Sequence, residues 1–257
     1  MSNPILNLEP YNGDAKICSW DLECTNLKGD FGFLLCGCYK FLGDPVVHTV
    51  RIDQFRGFKK DPTNDKRLAV QMAAALAKAD AWVTHYGDRF DRRFLNTRLL
   101  YHGLPPLPPI RMIDTWRIAH DNLALTSNRL ATVAELFNLP GKTPLKRQCW
   151  IKAMAGDRAS LNYIAAHCKA DVLALESSYL RLRCLCGKHI NVSVFQTSQD
   201  GRVRCPVCGS THVQRRGYGI AMARISQRFQ CANCGAWGHG KPEKPGLQRE
   251  IKFRKCV

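Results

Sequence analysis

Two carboxylates one residue apart, in the apolar run Ser19-Trp20-Asp21-Leu22-Glu23-Cys24-Thr25, constrain the fold of this chain most strongly. Successive side chains of a strand point to opposite faces, so Asp21 and Glu23 share one face and their apolar neighbours take the other. Two carboxylates side by side on a mostly buried strand repel each other unless one is protonated or a cation lies between them. Because Mg²⁺ and Mn²⁺ prefer oxygen ligands, the pair is a candidate metal site, although an isolated Asp-x-Glu is also compatible with a solvated strand end.

Strand-like and helical patterns follow one another along the first 183 residues. The segments predicted to be strands are 15–25, 32–41, 45–52, 81–85 and 110–113. Helices are predicted at 61–79, 90–102 and 160–183, with further helical segments up to 139. A meander of strands followed by alternating strands and helices predicts an α/β domain with a mixed sheet flanked by helices. In such sheets ligands collect at the C-terminal ends of strands, where we expect Glu23, His85 and Asp114.

The net charge points to a polyanionic partner. Lys and Arg total 38 against 21 acidic residues, which gives a formal net charge of +17. Residues 181–257 hold 15 basic and 3 acidic residues, so they carry +12 and leave +5 for residues 1–180. We therefore expect nucleic acid, DNA or RNA, to bind the C-terminal part, whereas a basic surface that serves only solubility is the alternative.

Thirteen cysteines raise the question of the redox compartment. The N-terminus has no basic region followed by an apolar run, and no apolar run approaches the ~18 residues of a membrane helix. We therefore expect a cytoplasmic protein that does not bind membranes and whose thiols are reduced. The cysteines expected to pack as small apolar side chains are Cys18, Cys24, Cys36, Cys38, Cys149 and Cys168.

Two further motifs place acids at a strand-to-helix junction and on a late helix. Asp91 follows Phe90 where a helix begins, a position that also suits a helix-capping acid. His167 and Asp171 are four residues apart on one helix face, where a surface hydrogen bond is the simpler interpretation. Combined with Asp21 and Glu23, this order of motifs resembles the DEDD superfamily of ribonuclease-H-like 3′→5′ exonucleases, and within it the YprB-type branch. The resemblance covers roughly residues 15–183.

The resemblance implies a phosphodiester hydrolase that uses two Mg²⁺ or Mn²⁺ ions. The metal ligands that it implies are Asp21, Glu23, Asp91 and Asp171. It assigns His167 to taking the proton from the attacking water, and Asp114 to supporting the site without binding metal. The third motif is His-x3-Asp, as in the YprB-type proteins, whereas the proofreading branches have Tyr-x3-Asp or His-x4-Asp. Three arginines that flank Asp91 are equally consistent with a solvated helix face and receive no role: Arg89, Arg92 and Arg93.

The C-terminal region contains two matching Cys-x2-Cys-Gly segments. They begin at Cys205 and Cys231, and 22 residues separate the second cysteine of one from the first of the next. The sequence suits a tetrahedral Zn²⁺ site formed by four thiolates: Cys205, Cys208, Cys231 and Cys234. A module this small needs a bound metal or another cross-link for stability. The β-rich sequence between them predicts a hairpin ribbon, which resembles the zinc ribbons of insertion-sequence transposases. Cys184 and Cys186 remain alternative ligands.

Basic and aromatic side chains surround these cysteines. The arginines expected to contact nucleic acid are Arg215, Arg216, Arg224 and Arg228, with Tyr218, Phe229 and Trp237 nearby. The predicted organisation is a lead-in at 1–14, a ribonuclease-H-like exonuclease domain at 15–183 and a basic zinc-ribbon module at 184–257. The predicted function is a metal-dependent 3′→5′ exonuclease acting on DNA or RNA. The alternatives are a non-catalytic nucleic-acid-binding or adaptor protein on a nuclease fold, and a structure-specific endonuclease.

Overall fold

A computed structural model describes residues 14–139, 147–196, 201–221 and 224–242. All but one residue of the predicted lead-in 1–14 lies outside the described residues, as do residues 243–257 of the predicted ribbon module. The side chain of Arg224 also lies outside them, although its backbone is part of a strand.

A five-stranded mixed sheet forms the centre of the α/β part. Its strands are β1 (Ile17–Cys24), β2 (Leu34–Phe41), β3 (His48–Arg51), β4 (Ala81–Thr84) and β5 (Arg111–Asp114). Their order across the sheet is β3-β2-β1-β4-β5. The first three strands pair antiparallel as a meander, whereas β4 pairs parallel with β1 and β5 parallel with β4. The predicted mixed sheet is confirmed.

Helices cover both faces of this sheet. They are α1 (Lys66–Leu76), α2 (Asp91–Tyr101), α3 (Thr115–Asn122), α4 (Leu130–Leu136), α5 (Arg147–Met154) and α6 (Arg158–Leu182). The sequence did not predict α5, because its apolar residues lie on both sides of the helix: Cys149, Trp150 and Ala153 pack against the core, whereas Ile151 and Met154 are exposed. Among the described residues, no helix combines the length and apolarity needed to cross a membrane.

The two faces of β1 contact different helices. On one face Trp20 packs edge-on against Trp82, whose indole donates to the Leu76 carbonyl of α1 at 2.9 Å. On the opposite face, the Cys168 thiol of α6 lies 3.5 Å from the Asp21 carboxylate. The alternation of side chains thus places the apolar residues under α1 and the carboxylates under α6.

A buried ion pair fixes α2, the helix that begins at Asp91. Arg98 of α2 donates to both carboxylate oxygens of Asp65 at 2.9 Å, and Asp65 is fully buried. The same carboxylate accepts from the Leu34 amide of β2 at 2.9 Å and lies 2.6 Å from the His102 ring. Because Asp65 joins β2 to α2, it holds the helix in register with the central strands.

We expect Asp65→Ala to lower the free energy of unfolding by about 3–5 kcal/mol, because Arg98 would be left buried without its anion. Urea unfolding followed by circular dichroism measures the loss. Asp121→Ala is the control: its contact with His120 leaves more than half of each side chain exposed (55% and 57%). An exposed pair contributes about 0–1 kcal/mol, so similar small losses in both variants would contradict the proposed role of Asp65.

The C-terminal region forms a separate antiparallel sheet. Its strands are β6 (Val213–Ala221), β7 (Arg224–Cys231) and β8 (Trp237–Pro242), in the order β6-β7-β8. The first two are the predicted hairpin, and β8 adds a strand that the glycines at 238 and 240 obscured in the sequence. The connection from α6 packs on the α/β part, since Val192 is buried against the cluster that contains Tyr179 and Leu182.

Candidate active site and cysteine cluster

Side chains of β1 and α6 meet on the face of the sheet that α6 covers. Ligand atoms of Glu23, His167 and Asp171 lie within 4.8 Å of one another. Asp21, Glu23 and Cys168 form an overlapping group within the same limit. On α6 itself, His167 Nε2 lies 3.6 Å from Asp171 Oδ2. The structure therefore brings together the two pairs that sequence spacing had singled out separately.

Asp91 reaches the same region from the start of α2. Pairing between β1 and β4 extends only to Ser19, and farther along β1 the Leu22 amide donates to the Asp91 carboxylate. Burial raises the pKa of Asp91 to about 7; this amide contact opposes the shift, and the charge of Asp114 adds to it. Leu22 is the residue between Asp21 and Glu23 in β1. The contact with its amide therefore holds Asp91 next to the residue that separates these two carboxylates.

The pKa of the neighbouring Cys24 thiol indicates that these charges lie close together. Burial and then the charges of Asp91, Glu23 and Asp21, in that order, raise the pKa of Cys24. Glu23 and Asp91 are among the buried charged residues, and so is Asp171. Since Glu23 also belongs to the group with His167 and Asp171, the four predicted carboxylates share one region at the C-terminal half of β1.

A tight turn between β4 and α2 determines where Asp91 lies. Gly87 packs so closely on Thr84 that an added Cβ would lie 2.5 Å from Thr84 Cβ, so a side chain does not fit there. Tyr86 has a φ of +66°, which is rare for a bulky residue. Its amide donates to Asp114 Oδ1 at 2.8 Å, and the same oxygen accepts from the Trp116 amide at the start of α3. Asp114 therefore supports the turn from the end of β5.

Two residues differ from their expected surroundings. Cys168, predicted to be an apolar filler, is fully buried but also contacts both the side chain and the backbone carbonyl of Asp21 at 3.5 Å. Its position three residues before Asp171, on the same helix face, was the available sequence signal. His85 instead bonds to structural partners, with its ring nitrogens 2.9 Å from Thr115 Oγ1 and 2.8 Å from the Asn128 carbonyl.

The donor set suits a hard divalent cation. Ligands on opposite sides of one Mg²⁺, at bonds of 2.0–2.1 Å, lie about 4.2 Å apart, which is compatible with groups whose atoms lie within 4.8 Å. Carboxylate oxygens predominate, with one imidazole and the Cys168 thiol, and the oxygens favour Mg²⁺ or Mn²⁺. A cation would also offset the repulsion among the buried carboxylates.

Four cysteine sulfurs form a second candidate metal centre. Cys205, Cys208, Cys231 and Cys234 have Sγ atoms within 4.8 Å of one another. The pairs Cys205–Cys234 and Cys208–Cys231 are each separated by 3.6 Å. Tetrahedral thiolates with Zn–S bonds of ~2.3 Å lie about 3.8 Å apart, whereas disulfide sulfurs lie ~2.05 Å apart. The geometry therefore fits four ligands around one ion.

The backbone of the two segments matches this arrangement. Gly209 and Gly235 have φ values of +77° and +75°, which glycine adopts without strain, and each amide bonds back to the first cysteine's carbonyl of its segment. Neither Cys184 nor Cys186 belongs to the four-sulfur group. Cys184 packs beside it, and Cys186 packs against the core of the α/β part.

The ribbon exposes several of the predicted nucleic-acid contacts. Arg215, Arg216 and Arg228 are exposed on β6 and β7. The Arg228 guanidinium lies 5.2 Å from the ring centroid of Trp237, a residue that is 52% exposed. The surface therefore combines cationic and aromatic groups, although the side chain of Arg224 lies outside the described residues.

A family model described as RNase_H superfamily, RNase_H_2, matches residues 18–182. This match contains all five strands of the mixed sheet except for the first residue of β1, together with all of α6. The chain belongs to the RNase H superfamily. Its superfamily membership accounts for the mixed sheet and for the helices on both of its faces. No curated protein matches the chain.

A solved structure shows the same fold as this RNase H superfamily chain. It is the family B DNA polymerase from the hyperthermophilic archaeon Pyrobaculum calidifontis, with a TM-score of 0.52 and 14% sequence identity. The similarity covers 66% of this chain and 25% of the polymerase chain. The matched part of this chain thus spans about a quarter of that polymerase, and the likeness concerns the fold.

The raised pKa of Asp91 predicts how metal-free stability depends on pH. Because the folded-state pKa is about 7 and the ordinary value is ~3.9, the folded state retains this proton more tightly. The stabilisation is complete below about pH 4 and is lost as the pH rises to about 7. Relative to Asp91→Asn, the wild type should lose on the order of 4 kcal/mol of unfolding free energy across that range.

Urea unfolding of both proteins without added Mg²⁺ or Mn²⁺ measures this difference at several pH values. The ribbon is common to the two proteins, so its contribution cancels in the comparison. Parallel pH profiles for wild type and Asp91→Asn would contradict the assignment.

Proposed function

We propose that this chain is a metal-dependent nuclease, specifically a cytoplasmic 3′→5′ exonuclease that hydrolyses phosphodiester bonds of DNA or RNA. The observation that carries the proposal is the convergence of Asp21, Glu23, Asp91 and Asp171, with His167, in one region under α6. The RNase H superfamily match supports a nuclease type of function. The DEDD assignment, the YprB-type branch and the direction of cleavage derive from the order of the motifs.

Different residues of this chain have different roles in the proposed hydrolysis. When bound, two Mg²⁺ or Mn²⁺ ions would stabilise the negative charge that develops on the attacking and leaving oxygens. By the DEDD resemblance, Asp21, Glu23, Asp91 and Asp171 would hold these ions. His167 accepts the proton of the attacking water, because imidazole exchanges protons readily near neutral pH. The Asp171 carboxylate, 3.6 Å away, would stabilise the resulting imidazolium.

Asp21→Asn should abolish metal-dependent hydrolysis, because Asn keeps the shape of the side chain and removes the charge that both ions require. The measurement is degradation of 3′- and 5′-labelled single- and double-stranded DNA and RNA, with Mn²⁺ or Mg²⁺ added. Asp61→Asn is the matched control, since Asp61 is exposed in the loop before α1. Full activity of Asp21→Asn at matched purity would exclude the carboxylate site.

Circular and 3′-blocked substrates test the exonuclease assignment separately. An exonuclease that starts at a 3′ end should leave both intact while it shortens linear strands. Cleavage of the circle by the wild type, lost in Asp21→Asn, would replace the exonuclease with an endonuclease that uses the same site.

We infer that the four-cysteine group binds a structural Zn²⁺ and that the ribbon helps to hold nucleic acid. The sulfur separations of 3.6 Å support the first inference, and the exposed arginines beside Trp237 support the second. The buried cluster in the ribbon consists chiefly of the four cysteines with Val207 and Ala236, so apolar burial alone gives it little stability. A bound ion would supply the missing stabilisation.

Cys208→Ser should lose the zinc that copurifies with the wild type, because three thiolates and a hydroxyl bind the ion more weakly than four thiolates. Elemental analysis of zinc per chain measures this directly, and limited proteolysis reports whether the ribbon opens. Cys184→Ser is the control, because Cys184 packs beside the group without joining it. Retention of zinc by Cys208→Ser, or equal loss in both variants, would contradict the assignment.

A further inference from the structure

A large groove beside the edge strand β5 remains without a role in the proposed function. Its volume is about 1230 Å³, and its walls come from the turn after β4, from β5 with the loop before it, from α3 and from residues 185–188. Small-molecule pockets are typically ~300–1,000 Å³, so the groove has room for an extended ligand. Asp114, which holds the turn before Asp91, lines one wall.

Two aromatic residues in contact, Tyr86 and Trp116, line this groove. The rings of Tyr86 and Trp116 meet edge to face, with centroids 5.1 Å apart and an interplanar angle of 69°. The His120 ring also stacks on Trp116, at a centroid distance of 4.9 Å. Tyr86 is 39% exposed, so its ring offers surface to a ligand while Trp116 supports it.

The backbone of Tyr86 is held in its unusual conformation by tertiary contacts. Its φ of +66° is uncommon for an aromatic residue and costs free energy. Two contacts maintain it: the bond from its amide to Asp114, and the close packing of the next residue, Gly87, on Thr84. A strained, fixed ring at the rim of a groove is a pre-organised binding surface.

The charges of the groove favour an anion. Four exposed basic side chains line it: Arg89, Arg111, Arg117 and Lys188. Two acids of its lining already have partners: Asp88 pairs at 2.7 Å with Arg92, which also lines the groove, and Asp121 bonds to His120 at 2.9 Å. The third acid, Asp114, accepts from backbone amides. Arg89 also lies 5.9 Å from the Tyr86 centroid, so a cation adjoins the aromatic ring.

We propose that this groove binds a single-stranded polynucleotide, with an unpaired base stacked on Tyr86 and phosphates bound by Arg89, Arg117, Arg111 and Lys188. Aromatic rings and cations in one groove are the combination that binds single strands, because unpaired bases expose their faces and duplex bases do not. This inference rests on the proposed function in one respect: the bound strand would pass Asp114 to reach the carboxylates.

Binding of short labelled single strands tests this inference apart from catalysis. The probes are six-nucleotide oligothymidylate and oligouridylate, and fluorescence anisotropy is measured on Asp21→Asn proteins without added Mg²⁺ or Mn²⁺. Adding Tyr86→Ala should weaken binding about tenfold, since stacking of one base contributes that order of affinity. Tyr86→Phe, which keeps the ring, should restore it.

Tyr101→Ala is the matched control, because Tyr101 is 66% exposed on α2 and does not line the groove. A second variant avoids the strained turn: Arg117→Gln, on the exposed side of α3, should lower the slope of log affinity against log salt by about one. Stronger binding of a hairpin duplex than of the single strands would overturn the proposal. So would unchanged affinity in both Tyr86→Ala and Arg117→Gln, or an equal loss in Tyr101→Ala.

The outcomes separate the two proposals. If the wild type cleaves nothing but Tyr86→Ala still weakens oligonucleotide binding selectively, the nuclease assignment fails and the groove stands. If the wild type degrades linear strands while the groove variants bind them as tightly as the parent, the nuclease stands and the groove assignment is wrong.

Discussion

Electrostatic repulsion among partly desolvated carboxylates is the unfavourable interaction that the rest of this structure must offset. Glu23, Asp91 and Asp171 are buried and come from three different elements, so each is held near the others against both desolvation and like charge. The opposite face of β1 shows how that energy is offset. There Trp20 and Trp82 pack in the core beneath α1, and every apolar contact on that side resists separation of the elements that carry the acids.

Contacts outside the carboxylate cluster fix the position of Asp91. The Asp65–Arg98 pair ties α2 to β2, and the turn at Gly87 sets where that helix begins. Asp114 fixes the same turn from β5, and its charge contributes to the raised pKa of Asp91. Asp114 therefore belongs to the groove lining and also contacts the turn that precedes Asp91.

Local periodicity was sufficient to predict much of the sheet and the two strongest pairs of site residues. The period of two in β1 predicted that Asp21 and Glu23 share a face, and the spacing of four predicted the same for His167 and Asp171. Contacts that depend on how elements meet left no such pattern. Asp91 bonds to the Leu22 amide because the pairing with β4 ends early, and Arg98 meets Asp65 across 33 positions of sequence. The left-handed conformation of Tyr86 likewise depends on a partner in a distant strand.

The two candidate metal centres differ in their donor atoms, and each donor set favours a different class of metal. Burial raises the pKa of Cys168 well above its usual range, so its thiol stays protonated beside Asp21 and donates to that carboxylate. The donors around this thiol are mainly carboxylate oxygens, which favour Mg²⁺ or Mn²⁺. In the ribbon four sulfurs lie within 4.8 Å of one another, and such a donor set favours a soft cation such as Zn²⁺. Sulfur is thus one donor among carboxylates in the first centre and the sole donor type in the second.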